Sequence, residues 1–184
     1  MRRLVMWNLQ TLDGCFEGAE PWSLGFHETA WGEELERLSL EQLDDLGAIL
    51  FGRATYQGMA AYWTKATGSI AERMNALDKV VFSSTLPSAD WRNTRLVHGD
   101  PAAAVAALKR EPGKDLYVFG SAKLCDALSR AGLFDEYRIC VAPVVLGAGA
   151  PLWKPGPERR LRLLEARALA TGAVVLRYAP VAAG

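Results

Sequence analysis

Apolar and polar positions along the chain change period several times, and each change marks an element. Residues 3–9, built on L-V-M-W, read as a first strand, closed by the turn T-L-D-G-C at 11–15. A loop rich in Gly, Trp and Pro continues to residue 27. Over 32–46, Leu35, Leu38, Leu43 and Leu46 recur among Glu and Asp at a mostly helical spacing. A-I-L-F at 48–51 has no polar break and predicts a buried strand. Helices follow over 54–63 and 69–77, the second with Ser69 as N-cap and Glu72 three residues later. Residues 79–84 and 94–97 read as strands. The run D-P-A-A-A-V-A-A-L-K-R at 100–110 starts a helix with Asp100 as N-cap and Pro101 at the first helical position. A strand over 115–120 leads into a helix over 121–130, and 136–144 is a longer strand. Residues 160–169 and 173–179 form a terminal antiparallel hairpin that turns at Gly172.

Strands alternating with helices predict an α/β fold with a mostly parallel sheet and helices on both faces, edged by antiparallel late strands. The expected organisation is one domain over 1–180 with a frayed tail at 181–184. Half of the 184 residues are hydrophobic, enough for a sizeable core. Lys+Arg and Asp+Glu balance at 21 each, which removes the basic field that nucleic-acid binding needs. Three scattered cysteines and two distant histidines form no zinc pattern, so no metal is expected and a reduced, cytoplasmic protein fits. Cys125 and Cys140 read as buried side chains on a helix and a strand. No window could span a bilayer.

In open sheets of this kind ligands sit beyond the carboxyl ends of the strands. Three such ends carry suggestive chemistry. In F-G-R-A-T, Gly52 allows close backbone approach, Arg53 offers a planar fork to phosphate oxygens, and Thr55 supplies a cap or a hydroxyl. V-V-F-S-S-T ends in the hydroxyls of Ser83, Ser84 and Thr85. V-F-G-S-A-K puts Gly120, Ser121, Ala122 and Lys123 at a helix start, where N–H groups and an ammonium could grip a pyrophosphate. Taken singly, the three read equally as a strand-to-helix turn, a Ser/Thr turn and a helix capped by Ser121. Together they fall on one edge of the sheet and suit a nucleotide with two phosphate sites. G-A-G-A-P-L at 147–152 is not a G-x-G-x-x-G fingerprint, since no helix follows.

The stretches T-L-D-G (11–14), L-F-G-R-A-T-Y (50–56), K-V-V-F-S-S-T-L (79–86), L-Y-V-F-G-S-A-K-L (116–124), G-L-F-D-E-Y (132–137) and A-P-V-V-L-G-A-G-A-P-L-W (142–153) form an ordered set. That set resembles the dihydrofolate reductase superfamily, in the branch similar to the C-terminal reductase domain of the bifunctional riboflavin-biosynthesis deaminase/reductase. The resemblance implies a dihydrofolate reductase-like three-layer fold, a homodimer and NADPH as cofactor. It implies that Arg53 holds the 2′-phosphate with Ser83 and Ser84 beside it, and that Ser121 to Lys123 lie near the pyrophosphate. Relatives carry Gly-Gly where this chain has Gly120-Ser121, with a cis peptide in folate reductases. A non-proline cis bond costs ~3 kcal/mol, so Ser121 speaks against that form. In the riboflavin enzymes the positions of Trp7 and Phe119 are usually Lys and Glu, which serve a phosphorylated pyrimidine-ribose substrate. Their replacement here speaks against that substrate.

The chemistry so implied is hydride transfer from NADPH to a C=N or C=O bond of a flat, small molecule. Asp13, also a candidate catalytic acid, and Gly14 would shape the floor by the nicotinamide, and Gly147 and Gly149 would let backbone approach from the other side. Trp7, Trp22, Phe26 and Trp31 could stack on the substrate, and the proton would come from His27, Glu28 or water. The alternative is a non-catalytic nucleotide- or ligand-binding protein on the same fold.

Overall fold

A computed structural model describes residues 1–181. In chain order it contains β1 (Leu4–Thr11), β2 (Cys15–Glu17), a 3-10 turn (Gly25–Thr29), α1 (Glu33–Asp45), β3 (Leu46–Gly52), α2 (Arg53–Trp63) and α3 (Ser69–Ala76). Then come β4 (Asp78–Phe82), β5 (Thr94–Val97), α4 (Pro101–Arg110), β6 (Asp115–Phe119), α5 (Ala122–Arg130), β7 (Glu136–Ala142), β8 (Ala150–Pro151), β9 (Leu161–Ala168) and β10 (Val174–Pro180). Of the expected frayed tail, 182–184 lie outside the described residues. Val181 is still tied, its N–H donating to the Arg160 carbonyl at 2.9 Å.

Eight strands form one sheet in the order β5-β4-β3-β6-β1-β7-β10-β9. The first six are mutually parallel, and β10 and β9 close the far edge antiparallel. The apolar run of β3 is buried because both sheet faces are covered: Ile49 and Phe51 enter one core, Leu50 the other. Leu35 and Leu43 of α1, Tyr56 of α2 and Met74 of α3 pack on the first face. Val105 and Leu108 of α4, with Leu124, Cys125 and Leu128 of α5, pack on the second. Three layers result, and the carboxyl ends of the neighbouring strands β3, β6 and β1 meet on one edge.

Local signals explain most boundaries. The Asp100 carboxylate accepts the N–H groups of Ala102 and Ala103, with Pro101 starting α4. Ser69 does not cap α3: Gly68, at φ +99°, occupies that position and Ser69 is the first helical residue. The turn at 11–15 is real but leads into β2, which pairs with β8 in a small second sheet. Neither short strand has enough residues to show a period of two. Among the described residues no helix is long and apolar enough to cross a membrane.

One face holds a buried ionic cluster. Glu136, at the start of β7, accepts from Arg138 Nε (2.6 Å), Arg177 Nε (2.7 Å) and Arg3 Nη1 (3.3 Å). Burial alone would raise its pKa, but the bonds from Arg177 and Arg138 outweigh burial and hold it below the usual carboxylate value. Asp135 accepts the Leu4 N–H and the Lys109 ammonium, and Glu136 gathers three arginines.

Candidate active site

Gly52 ends β3 and stands at the N-cap of α2, with no side chain to cap it. The first N–H groups of α2 thus have no partner within the helix. Ser121 stands at the N-cap of α5 in a left-handed conformation (φ 60°, ψ 61°) and does not cap its own helix. Its hydroxyl instead accepts the Gly52 N–H at 2.8 Å, tying the two helix starts together. A side chain at Gly52 would meet that hydroxyl at 3.3 Å. Gly120, at φ +64°, brings the backbone so close to α2 that a Cβ would lie 3.1 Å from the Thr55 methyl. No peptide among the described residues is cis.

These helix starts open onto a cleft of about 760 Å³. Gly52, Arg53, Thr55, Gly120, Ser121, Ala122 and Lys123 all line it. Arg53 and Lys123 are exposed, and neither side chain makes an ion pair or hydrogen bond among the described residues. Two cations without ion-pair partners thus stand beside two sets of free N–H groups, a donor set whose chemistry suits an anion. Thr55 does not act as a helix cap; it sits inside the first turn of α2.

Much of the remaining wall is apolar, formed by Trp7 of β1, Phe119 of β6, Leu35 and Leu43 of α1, and Met74 of α3. Trp22 and Trp31 also line the cleft. Trp22 lies directly against Gly58 of α2, where a Cβ would come within 1.9 Å of the indole. Its N–H donates to the Glu17 carboxylate, and its φ of 64° bends the loop over the cleft. Phe26 is buried in the core instead, edge-on to His27 at 4.7 Å.

His27 borders the cleft, and burial pulls its pKa down to about 4, so the imidazole is neutral at pH 7. Glu28 is exposed and does not line the cleft. Asp13 does not fit an acid role, because its neighbours hold it ionised. It accepts the Thr11 hydroxyl at 2.5 Å and the N–H groups of Gly147 (2.8 Å) and Leu146 (3.3 Å), the Thr11 bond contributing most to its lowered pKa. Asp13 clamps the β7–β8 loop to the β1–β2 turn, and Gly14, at φ +84°, completes that turn outside the cleft. Gly147 serves the same clamp. Gly149 packs against the Glu17 carbonyl, where a Cβ would fall at 2.4 Å.

The serines after β4 also lie off the cleft wall, although Phe82 and Pro101 reach it. Ser83 Oγ accepts the N–H groups of Thr85 and Leu86 at 3.2 and 3.0 Å, so it closes a Ser/Thr turn, and Ser84 is exposed. Several lining residues escaped the sequence reading: Asn8, Ser39, Gln42, Trp63 and Lys154. Ser39 and Gln42 fall in register with Leu35 and Leu43 on α1. Polar residues inside an apolar helical stripe were the available signal.

The family model described as RibD C-terminal domain matches residues 2–175. The uncharacterized protein YyaP of Bacillus subtilis (strain 168) is 29% identical over 184 residues, spanning 96% of this chain and 94% of its own. A solved structure from Shewanella sp. PV-4, provisionally assigned to riboflavin biosynthesis, superposes with TM-score 0.79 at 15% identity over 98% of this chain and 99% of that one. Dihydrofolate reductase from Enterococcus faecalis, solved with NADP(H) and RAB-propyl, gives TM-score 0.60 at 12% identity, covering 97% and 96%. At these identities the two structures speak for the fold alone.

Proposed function

The chain belongs to the RibD C-terminal domain family, and from that premise we propose that it is an NADPH-dependent reductase of a small planar substrate. The observation that carries this reading is the pair of uncapped helix starts joined by Ser121 and Gly52, with unpaired Arg53 and Lys123 beside them. That donor set fits a dinucleotide carrying an extra phosphate. Arg53 would fork onto the 2′-phosphate, while the N–H groups of Ala122 and Lys123 and the Lys123 ammonium would hold the pyrophosphate. Bound there, NADPH would supply the hydride for reduction of a C=N or C=O bond, with the matching proton drawn from water.

The remaining residues position and shield. Trp7 and Phe119 form the apolar wall for a flat ring, and Trp22 covers the cleft from the loop side. Neutral His27 adds a polar edge without charge. It does not serve as a protonated acid at neutral pH.

The test is a titration with NADPH followed by the quenching of the cleft tryptophans. It is then followed by NADPH oxidation with pteridine, flavin-precursor and carbonyl acceptors. Tight binding with turnover of one class is the expected result. No binding below about millimolar, only ~4 kcal/mol, would overturn the reading. Binding without turnover would leave a ligand-binding protein on the same fold.

A further inference from the structure

The inner end of the cleft holds an amide whose orientation is dictated by its neighbours. Gln42 lines the cleft and is 5% exposed. Its Oε1 accepts from Arg138 Nη1 at 3.1 Å. A guanidinium has only donors, so the oxygen must face it and the NH2 must lie on the other side of the amide. Arg138 cannot swing away, because its Nε is bound to Glu136 at 2.6 Å and Glu136 is also held by Arg177 and Arg3. The Gln42 NH2 has no hydrogen-bond partner among the described residues. Its neighbour Ser39 donates its hydroxyl to the Leu35 carbonyl at 2.7 Å.

The same network accounts for the charge of this end. Arg138, the neighbour of Trp7 across the sheet, lies over the Tyr117 ring at 5.4 Å and is ion-paired with Glu136. Of the cations that line the cleft, Arg53 and Lys123 stand at the helix starts, and Lys154 forms no ion pair among the described residues. Lys154 donates to the Pro151 carbonyl at 3.3 Å. The wall formed by Trp7, Leu35, Leu43, Met74 and Phe119 contributes no cation of its own. A charged group placed there would be desolvated without a partner.

Resting on the reductase reading, we infer that the substrate is an uncharged, largely apolar planar compound whose carbonyl oxygen accepts a hydrogen bond from the Gln42 amide. Phosphorylated and other anionic substrates are excluded by the same chamber.

A matched pair of probes tests this: 1,2-naphthoquinone and 1,2-naphthoquinone-4-sulfonate, which share one ring system and differ in charge. Calorimetry first measures NADP+ binding, then binding of each probe to the NADP+ complex, for the wild type and for Gln42→Glu. This variant keeps an acceptor for Arg138 and replaces the NH2 donor with a carboxylate oxygen, whose added charge faces Arg138 and is not felt by a neutral quinone as an ion pair. We expect the neutral quinone to bind at least tenfold tighter than the sulfonate. We expect Gln42→Glu to weaken the neutral quinone about tenfold, the scale of one hydrogen bond, and to leave NADP+ affinity unchanged. Equal or tighter binding of the sulfonate overturns the inference, as does unchanged quinone affinity in Gln42→Glu, or no quinone binding to a complex that holds NADP+. If NADP+ itself fails to bind the wild type, the reductase reading falls and takes the inference with it.

Discussion

At the scale of single residues, environment decides role more than residue type does. Two residues of similar promise, Asp13 and His27, end in opposite states. Asp13 is held ionised by the Thr11 hydroxyl and two loop N–H groups, and His27 is held neutral by burial. The second state has a consequence for stability. The unfolded chain protonates His27 near its ordinary 6.5, but the folded chain does so only near about 4. Between those values the unfolded state binds the extra proton, so folding stability falls as pH drops from 6.5 towards 4. Each pH unit removes about 1.4 kcal/mol at most. Urea midpoints at pH 4, 5.5 and 7 should show the wild type losing more on acidification than His27→Phe. Parallel curves would mean that His27 titrates normally.

At the scale of elements, the central parallel strands were legible because they are buried on both faces and read as apolar runs. A-I-L-F and L-Y-V-F are examples. The start of α4 was equally plain, since Asp100 and Pro101 act within one turn. What could not be read was how one element uses another. Ser121 looks like a cap for its own helix, yet its hydroxyl crosses to the end of β3, 69 positions away in sequence. Ser83 looks like a phosphate ligand, yet its hydroxyl closes its own turn. Gln42 looks like a solvated helix position because its partner Arg138 lies on a strand 96 positions on. The Ser121 tie is testable. Ser121→Ala leaves the left-handed backbone in place but strips the Gly52 N–H of its partner. It should cost about 1–2 kcal/mol in denaturant unfolding and weaken NADPH binding by separating the helix starts. A variant as stable as the wild type, with full affinity, would show that the tie is incidental.

At the scale of the whole molecule, the sheet order places the ends of β3, β6 and β1 side by side, and the cleft inherits two characters from that arrangement. Towards the starts of α2 and α5 it is cationic and rich in free N–H groups. Towards α1 its wall is largely apolar, and Arg138, bonded to Gln42, is ion-paired with Glu136. The central claim is that the cationic end recognises the phosphate separating NADPH from NADH, and that Arg53 does so. The most direct measurement is the affinity of both dinucleotides for the wild type and for Arg53→Ala. The wild type should prefer NADPH, and the substitution should cost NADPH about 1.5–3 kcal/mol, the scale of a charge-assisted contact, with NADH nearly unchanged. Equal losses for the two dinucleotides, or a wild type indifferent between them, would contradict it.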